Sequence, residues 1–252
     1  MLADFLYWLE IERSRQQWRY IEIRPLSHIQ APGWAPSHSY CFHELSLSPS
    51  LDDISRGMHK DSLRRRIQRA DREGLVCETG RSEKIVKDFY RLLLMTRKRH
   101  QLLPQPRIWF QNLVRCMDAN VEIRLARKDD VAIAGILTLR HKTSVIYKYG
   151  CSDARLHQFG AMPFLFWKLI EESKAAGATR IDFGRSDLNQ GGLVAFKDKF
   201  GGTRTQLDYY RCPQEESSKS LDLQGLRFRH VFSVLPDSIS SMAGRLIYRH
   251  IG

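Results

Sequence analysis

The sequence predicts an α/β protein in which helices pack on a mixed β-sheet, and three observations carry that prediction. From residue 121 the apolar period changes from helical to two, which marks strands at 121–126, 131–140 and 145–149. Only Lys128-Asp129-Asp130 and His141-Lys142-Thr143 separate them, and turns that short join antiparallel neighbours. A loop of about ten residues then opens a helix over 163–176, and this crossover returns the chain to a strand at 180–183, parallel to the one at 145–149.

The remaining elements follow from period and punctuation. Residues 2–17 form an amphipathic helix with Phe5, Leu6 and Leu9 on one face. Tyr20–Arg24 alternates as a strand, Pro25, Pro32, Gly33 and Pro36 mark an irregular loop, and Tyr40–Leu47 alternates again. A basic helix over 59–73 turns Leu63, Ile67 and Ala70 inward and Arg64, Arg65, Arg66, Arg69 and Arg72 largely outward, and Gly74 ends it. Ser82 caps a helix over 83–99, with Ile85, Phe89, Leu92 and Leu93 on its apolar face. Pro104 and Pro106 precede a shorter helix ending near Asp118. Pro163 suits the first turn of the 163–176 helix, and Gly177 closes it. A Gly-rich loop, a short helix over 192–200 and a strand over 205–210 complete this part. Residues 213–220 read as a polar linker. Residues 225–252 read as a basic amphipathic segment suited to docking on the domain or to resting on an anionic membrane.

Composition narrows the function. The apolar fraction of 42% supports a real core, and no 18-residue uncharged apolar stretch predicts a membrane span. Five cysteines without a CxxC pair read as reduced thiols of a cytoplasmic protein. The histidines show no paired-ligand spacing, so no metal site is expected. Neither Gly191-Gly192 nor Gly201-Gly202 is followed by Lys-Ser or Lys-Thr, which excludes a P-loop. The net charge of +12 suits an anionic partner: coenzyme A, a nucleotide sugar, tRNA or an acidic membrane face.

The loop at 151–162 either presents main-chain N–H groups at the start of the 163–176 helix, where the helix dipole favours a pyrophosphate, or is merely a connecting loop. The order of strands and helices over 121–210 resembles the core of the GCN5-related N-acetyltransferase (GNAT) fold. Several motifs narrow the resemblance: Ser62-Leu63-Arg64-Arg65-Arg66-Ile67-Gln68-Arg69-Ala70, Phe89-Tyr90-Arg91-Leu92, Thr96-Arg97-Lys98-Arg99-His100, Tyr147-Lys148-Tyr149-Gly150-Cys151-Ser152-Asp153, Ile181-Asp182-Phe183-Gly184-Arg185-Ser186-Asp187 and Phe196-Lys197-Asp198-Lys199-Phe200-Gly201. From about residue 18 to 212 the chain resembles the FemAB family, and within it the proteins found with bacterial exopolysaccharide and exosortase systems. The resemblance implies tandem GNAT-like domains: residues 1–57 the rear of a first domain, 58–120 a helical connection, 121–212 the core of a second, and 213–252 a tail. The opening strands of the first domain are missing, so the chain is read as a truncated product or as one that needs a partner.

The implied activity is transfer of an acyl group from acyl-CoA to an amine of an envelope or exopolysaccharide precursor, possessing no metal requirement. Aminoacyl-tRNA is the alternative donor, a nucleotide-linked amine the implied acceptor, and a non-catalytic binding protein the alternative to an enzyme. The Phe196-Lys197 pair matches the family's transfer centre, where a fixed ammonium stabilises a carbonyl oxygen turning negative. Lys197 is expected at the surface of its short helix, and Lys199 competes for its role. Asp182, near a strand end, could take the proton of the attacking amine or simply cap the next turn. Tyr149 could donate to a carbonyl or a leaving group, or only pack in the core with a wet hydroxyl. Gly150, Ser152, Gly160, Ala161 and Phe196 are the expected cofactor contacts, and Arg97, Arg99 and Ser186 the expected phosphate or substrate contacts. Arg97 and Arg99 also suit a helix C-terminus without any ligand.

Overall fold

Alternating strands and capped amphipathic helices build one eight-stranded sheet in the computed structural model, which describes residues 1–27, 29–31 and 33–213. The linker and tail expected over 213–220 and 225–252 lie, apart from Pro213, outside the described residues. The elements run α1 (Leu2–Arg15), β1 (Ile21–Ile23), β2 (Pro36–Ser46), α2 (Leu51–Gly57), α3 (Arg65–Arg72), β3 (Val76–Gly80), α4 (Glu83–Arg99), α5 (Arg107–Met117), β4 (Val121–Lys128), β5 (Val131–His141), β6 (Ser144–Ser152), α6 (Ala161–Ala175), β7 (Arg180–Asp187), α7 (Gly191–Asp198) and β8 (Thr203–Cys212). The strand order is β1-β8-β2-β7-β6-β5-β4-β3. Every neighbouring pair is antiparallel except β6 and β7.

The mixed sheet matches the expected class, and the meander β4-β5-β6 follows the predicted order. Ser82 caps α4 by accepting from the Ile85 N–H at 3.3 Å. The inward faces of α3 with the turn before it, α4 and α6 are those the sequence marks: Leu63, Ile67, Ala70, Phe89, Leu92, Leu93, Phe166, Leu169 and Ile170 are all buried. Two cores flank the sheet. One joins α3 and α6 to Ile136, Val145, Ile181 and Phe183. The other joins α4 and α5 to Val121, Ile123, Leu125 and Leu137. A third, smaller cluster seats Leu6 of α1 against Trp34 and Tyr210 of β8.

Several elements depart from expectation. The edge strand β3 and the helix α2 were not predicted, and β2 begins at Pro36, inside the expected loop. The basic helix opens with a π-type turn over Lys60–Arg64 before α3 continues. Helix α6 starts at Ala161, two residues early, after a short 3₁₀ segment. Strand β7 runs on to Asp187, because Gly184, at φ +71°, makes a bulge rather than an end. The β2 register places Phe42 opposite Arg185 but Glu44 opposite Asp182, which leaves the extra residue on β7.

Candidate functional site

The parallel pair β6–β7 holds for three residue pairs, Ser144↔Arg180, Val145↔Ile181 and Ile146↔Asp182, and then parts. Both strands continue for several residues past the last pair, so a gap opens inside the sheet. A bulge on each strand accompanies it: Gly184 on β7, and Lys148 on β6, where Leu137 of β5 pairs with Tyr149 but Thr138 pairs with Tyr147.

The β6 bulge decides which tyrosine faces the gap. In a regular strand Tyr147 and Tyr149 would share a face. The extra residue sends Tyr147 toward α6, where its ring meets Phe166 at 4.8 Å between centroids. Tyr149 turns toward α5, meets Phe110 at 5.2 Å and accepts a hydrogen bond from Trp109 Nε1 at 3.2 Å. Burial pushes the Tyr147 hydroxyl well above the ordinary phenol range. Gly150 is required beside it, since a Cβ there would lie 2.0 Å from the Tyr147 hydroxyl oxygen.

Main-chain direction follows from the same alternation. Asp153 N–H bonds Ile133 C=O at 2.9 Å, on the β5 side. The even-numbered residues 150 and 152 therefore direct their N–H and C=O groups to the β7 side, into the gap. Ser152 is satisfied there by α4: its N–H bonds Thr96 Oγ1 at 2.9 Å, and its C=O accepts from Arg99 Nη1 at 3.2 Å. Gly150 pairs with Ile136 of β5 but has no β7 residue opposite it in the register.

A cleft of about 340 Å³ lies at the mouth of this gap. Its walls are Ser62 and Arg66 beside α3, Thr96, Arg99 and His100 at the end of α4, Tyr147, Gly150 and Ser152 of β6, Ala161, Met162 and Pro163 of α6, and Leu193, Phe196 and Lys199 around α7. The first N–H groups of a helix have no partner within it. In α6 these are Ala161 and Met162, since Pro163 has none and Phe164 N–H already bonds Gly160 C=O. Gly160 holds the left-handed conformation at φ +73°, and a Cβ there would meet the Arg66 carbonyl oxygen at 2.4 Å. Glycine thus lets α6 start against α3 and brings Arg66 to the cleft.

The cleft is cationic. Ser152 Oγ lies 2.8 Å from His157 Nε2. The pKa of His157 is lowered by burial and then by Arg99 and Arg66, and that of His100 by burial and then by Arg99 and Arg97. Burial and the nearby arginines thus both disfavour the charged form of these two histidines.

Of the residues singled out from the sequence, Gly150, Ser152, Ala161, Phe196 and Arg99 line this cleft, and Gly160 shapes it from behind. Arg97 instead donates to Gln105 Oε1 at 3.1 Å. Ser186 is buried, with no partner for its hydroxyl among the described residues. Tyr149 lies on the other face of the sheet, as above.

The expectation that Lys197 sits at the surface is overturned: it is only 3% exposed. Its Nζ donates to the Gly184 carbonyl at 2.8 Å and the Arg185 carbonyl at 3.3 Å, the main-chain groups freed by the β7 bulge. Burial lowers its pKa to about 8, against the attraction of Asp182. Asp182 is half-buried and accepts from the Gly184 N–H at 2.6 Å, so it does cap the bulge. Burial raises its pKa, and Glu44 opposite adds to the effect. Lys199, two residues beyond Lys197, reaches the cleft instead.

Sequence reasoning missed Tyr147, Arg66 and His157 as cleft residues. Tyr147 was hidden by the bulge, and Arg66 by its place in a run of surface arginines. His157 is a lone histidine in a loop, which carries no signal. Among the described residues no cluster of three metal-ligating side chains occurs, and no helix is long and apolar enough to cross a membrane.

Residues 58–197 match the acetyltransferase (GNAT) domain family. No curated protein matches the sequence. Among solved structures, FemX superposes with a TM-score of 0.67 at 14% identity over 82% of this chain and 76% of its own. The C-terminal domain of a putative lysylphosphatidylglycerol synthetase from Agrobacterium fabrum gives 0.60 at 18% identity, over 88% of this chain and 75% of that one. The L-PGS of Bacillus licheniformis gives 0.53 at 13% identity, over 96% and 72%. At these identities the likeness is one of fold.

Proposed function

The chain belongs to the GNAT acetyltransferase family, and we propose that it transfers an acyl group from acyl-coenzyme A to a primary amine of a bacterial envelope or exopolysaccharide precursor. The observation that carries this reading is the parting of β6 and β7 after Ile146↔Asp182, with the start of α6 at the mouth of the gap. A thin, extended thioester fits such a gap as a missing strand would, by main-chain hydrogen bonding. Its pyrophosphate meets the Ala161 and Met162 N–H groups, flanked by Arg66 and Arg99. Leu193, Phe196 and Met162 supply apolar wall to the part between phosphate and thioester.

In the transfer the amine nitrogen bonds the thioester carbon and the C–S bond breaks. Coenzyme A leaves as the thiol, carrying the proton that the amine gives up. The carbonyl oxygen is negative in between. Gly150 N–H, fixed by β6 and aimed into the gap, is the group placed to hold that charge. Lys197 adds a buried positive charge beside Gly184, on the opposite lip. Asp182, with its pKa raised, is the group suited to accept the amine proton first and to release it again, so that the net proton goes to the leaving thiolate.

Calorimetric binding of coenzyme A, acetyl-coenzyme A and aminoacyl-tRNA to the same preparation tests the donor. Coenzyme A and its thioester are expected to bind, more weakly as salt rises because the phosphate contacts are screened. Tight binding of aminoacyl-tRNA with no response to coenzyme A would replace this donor by the tRNA-linked one.

A further inference from the structure

The strands on the far side of the gap carry a second cationic feature, away from the donor cleft. Tyr40 of β2 and Tyr209 of β8 lie with ring centroids 4.9 Å apart. The guanidinium of Arg185, on β7, sits 4.4 Å from the Tyr40 centroid and 5.0 Å from that of Tyr209. Two rings thus hold an exposed arginine in place by cation–π contact. Arg24 approaches the same Tyr209 ring at 5.3 Å, but Glu22 already engages it. Arg185 has no ion-pair partner among the described residues, although Asp187 lies across from Tyr40 in the register. A stacked guanidinium keeps its in-plane N–H groups free, which is the geometry that grips a phosphate or carboxylate with two bonds.

Its place in the fold ties this arginine to the chemistry. Its own carbonyl accepts from Lys197 Nζ, and Asp182 precedes it on the same strand across the Gly184 bulge. Three residue steps lead from Asp182 to Arg185, roughly 10 Å at about 3.3 Å per step. The donor's phosphates meet the other lip, at α6, so they have no use for Arg185.

We infer that Arg185 is an acceptor-side anion site, and that the acceptor is an amine carrying a phosphate or carboxylate within about 10 Å of its nitrogen. The inference rests on the amine acyl-transfer reading. Arg185 binds the anionic group while the amine reaches Asp182 and the gap. It therefore sets which amine is chosen and leaves the donor alone.

The test is acetyl transfer from acetyl-coenzyme A to two pairs of amines: glucosamine 6-phosphate against glucosamine, and 6-aminohexanoate against hexylamine. In the wild type the anionic member of at least one pair should have a kcat/KM at least about tenfold higher, the scale of one charge-assisted hydrogen bond. The pair that discriminates tells phosphate from carboxylate. In Arg185→Gln that ratio should fall to about one while the KM for acetyl-coenzyme A stays within about twofold, and Arg185→Lys should fall between, as a point charge does. Three results overturn the inference: a ratio that survives Arg185→Gln, a donor KM that rises with it, or no preference for either anionic amine, no transfer at all included. Coenzyme A binding, measured on the same protein, separates these outcomes from failure of the transfer reading itself.

Discussion

Replacing Lys197 by methionine keeps the length of the buried stem and removes its charge. With its pKa lowered from 10.5 to about 8, the lysine destabilises the fold below pH 8, because folding there must bury an ammonium. A depressed base releases its proton more readily when folded than when unfolded, so between about pH 8 and 10.5 the unfolded chain binds more protons. Wild-type stability must therefore rise with pH across that window relative to a variant without the group. A shift of this size corresponds to about 3 kcal/mol over the whole window. Against it stand the Gly184 and Arg185 carbonyls, which lose their donor in the variant at a cost of about 1 kcal/mol each. At pH 7 the two effects oppose and Lys197→Met should fold. Urea unfolding of both proteins at intervals from pH 7 to 10.5 reads the difference directly, since titrations elsewhere cancel. Parallel stability curves would refute the burial argument. Turnover at pH 7 should fall by about 10²–10³ in the variant, and the donor's affinity should change much less.

Other substitutions probe the two glycines and the cleft charge. Gly150→Ala places a methyl on the Tyr147 hydroxyl and should abolish turnover; Gly150→Ala combined with Tyr147→Phe should restore part of it, which single-turnover assays would register. Gly160→Ala meets both an unfavourable φ and the Arg66 carbonyl, so it should cost more than about 1 kcal/mol and weaken coenzyme A binding, seen together in thermal-shift titrations. The pKa values of His100 and His157 are lowered, so both are neutral at pH 7 and gain charge only below their ordinary range. Affinity for coenzyme A should accordingly rise as pH falls below about 6.5, and His157→Gln should flatten the rise in calorimetry.

The meander, the cap of α4 and the inward faces of three helices were legible because each is written in consecutive residues: a period of two, Ser82 before an apolar stripe, and glycine after the last turn. Strand β3 was not, because Val76-Cys77-Glu78-Thr79-Gly80 is a half-exposed edge whose partner is the only evidence for it. The start of β2, before Tyr40, was hidden by Pro36 and a Ser/His-rich run, which pairing with β8 carries into the sheet. The site failed to show where a bulge intervened. Alternation predicts that Tyr147 and Tyr149 point the same way, and Lys148 separates them. Lys197 reads as a surface residue in Phe-Lys-Asp-Lys-Phe, because the carbonyls that hold it belong to a different element, β7.

The failures at the site have one physical origin. A parallel pair such as β6–β7 would ordinarily extend its ladder and close, since unpaired main-chain groups inside a sheet are costly. A bulge on each strand past Ile146 and Asp182 turns the two apart, and side chains then take up the groups set free. Lys197 takes the Gly184 and Arg185 carbonyls on one lip, and Thr96 with Arg99 takes Ser152 on the other. Gly150 lies between, its N–H directed into the gap and its missing side chain enforced by Tyr147. Side chains thus take up main-chain groups on both lips of the gap, with Gly150 between them. On the proposed reading, an acyl group that enters the gap meets there an N–H oriented by folding, and that preorganisation would distinguish a transfer site from a defect in the sheet.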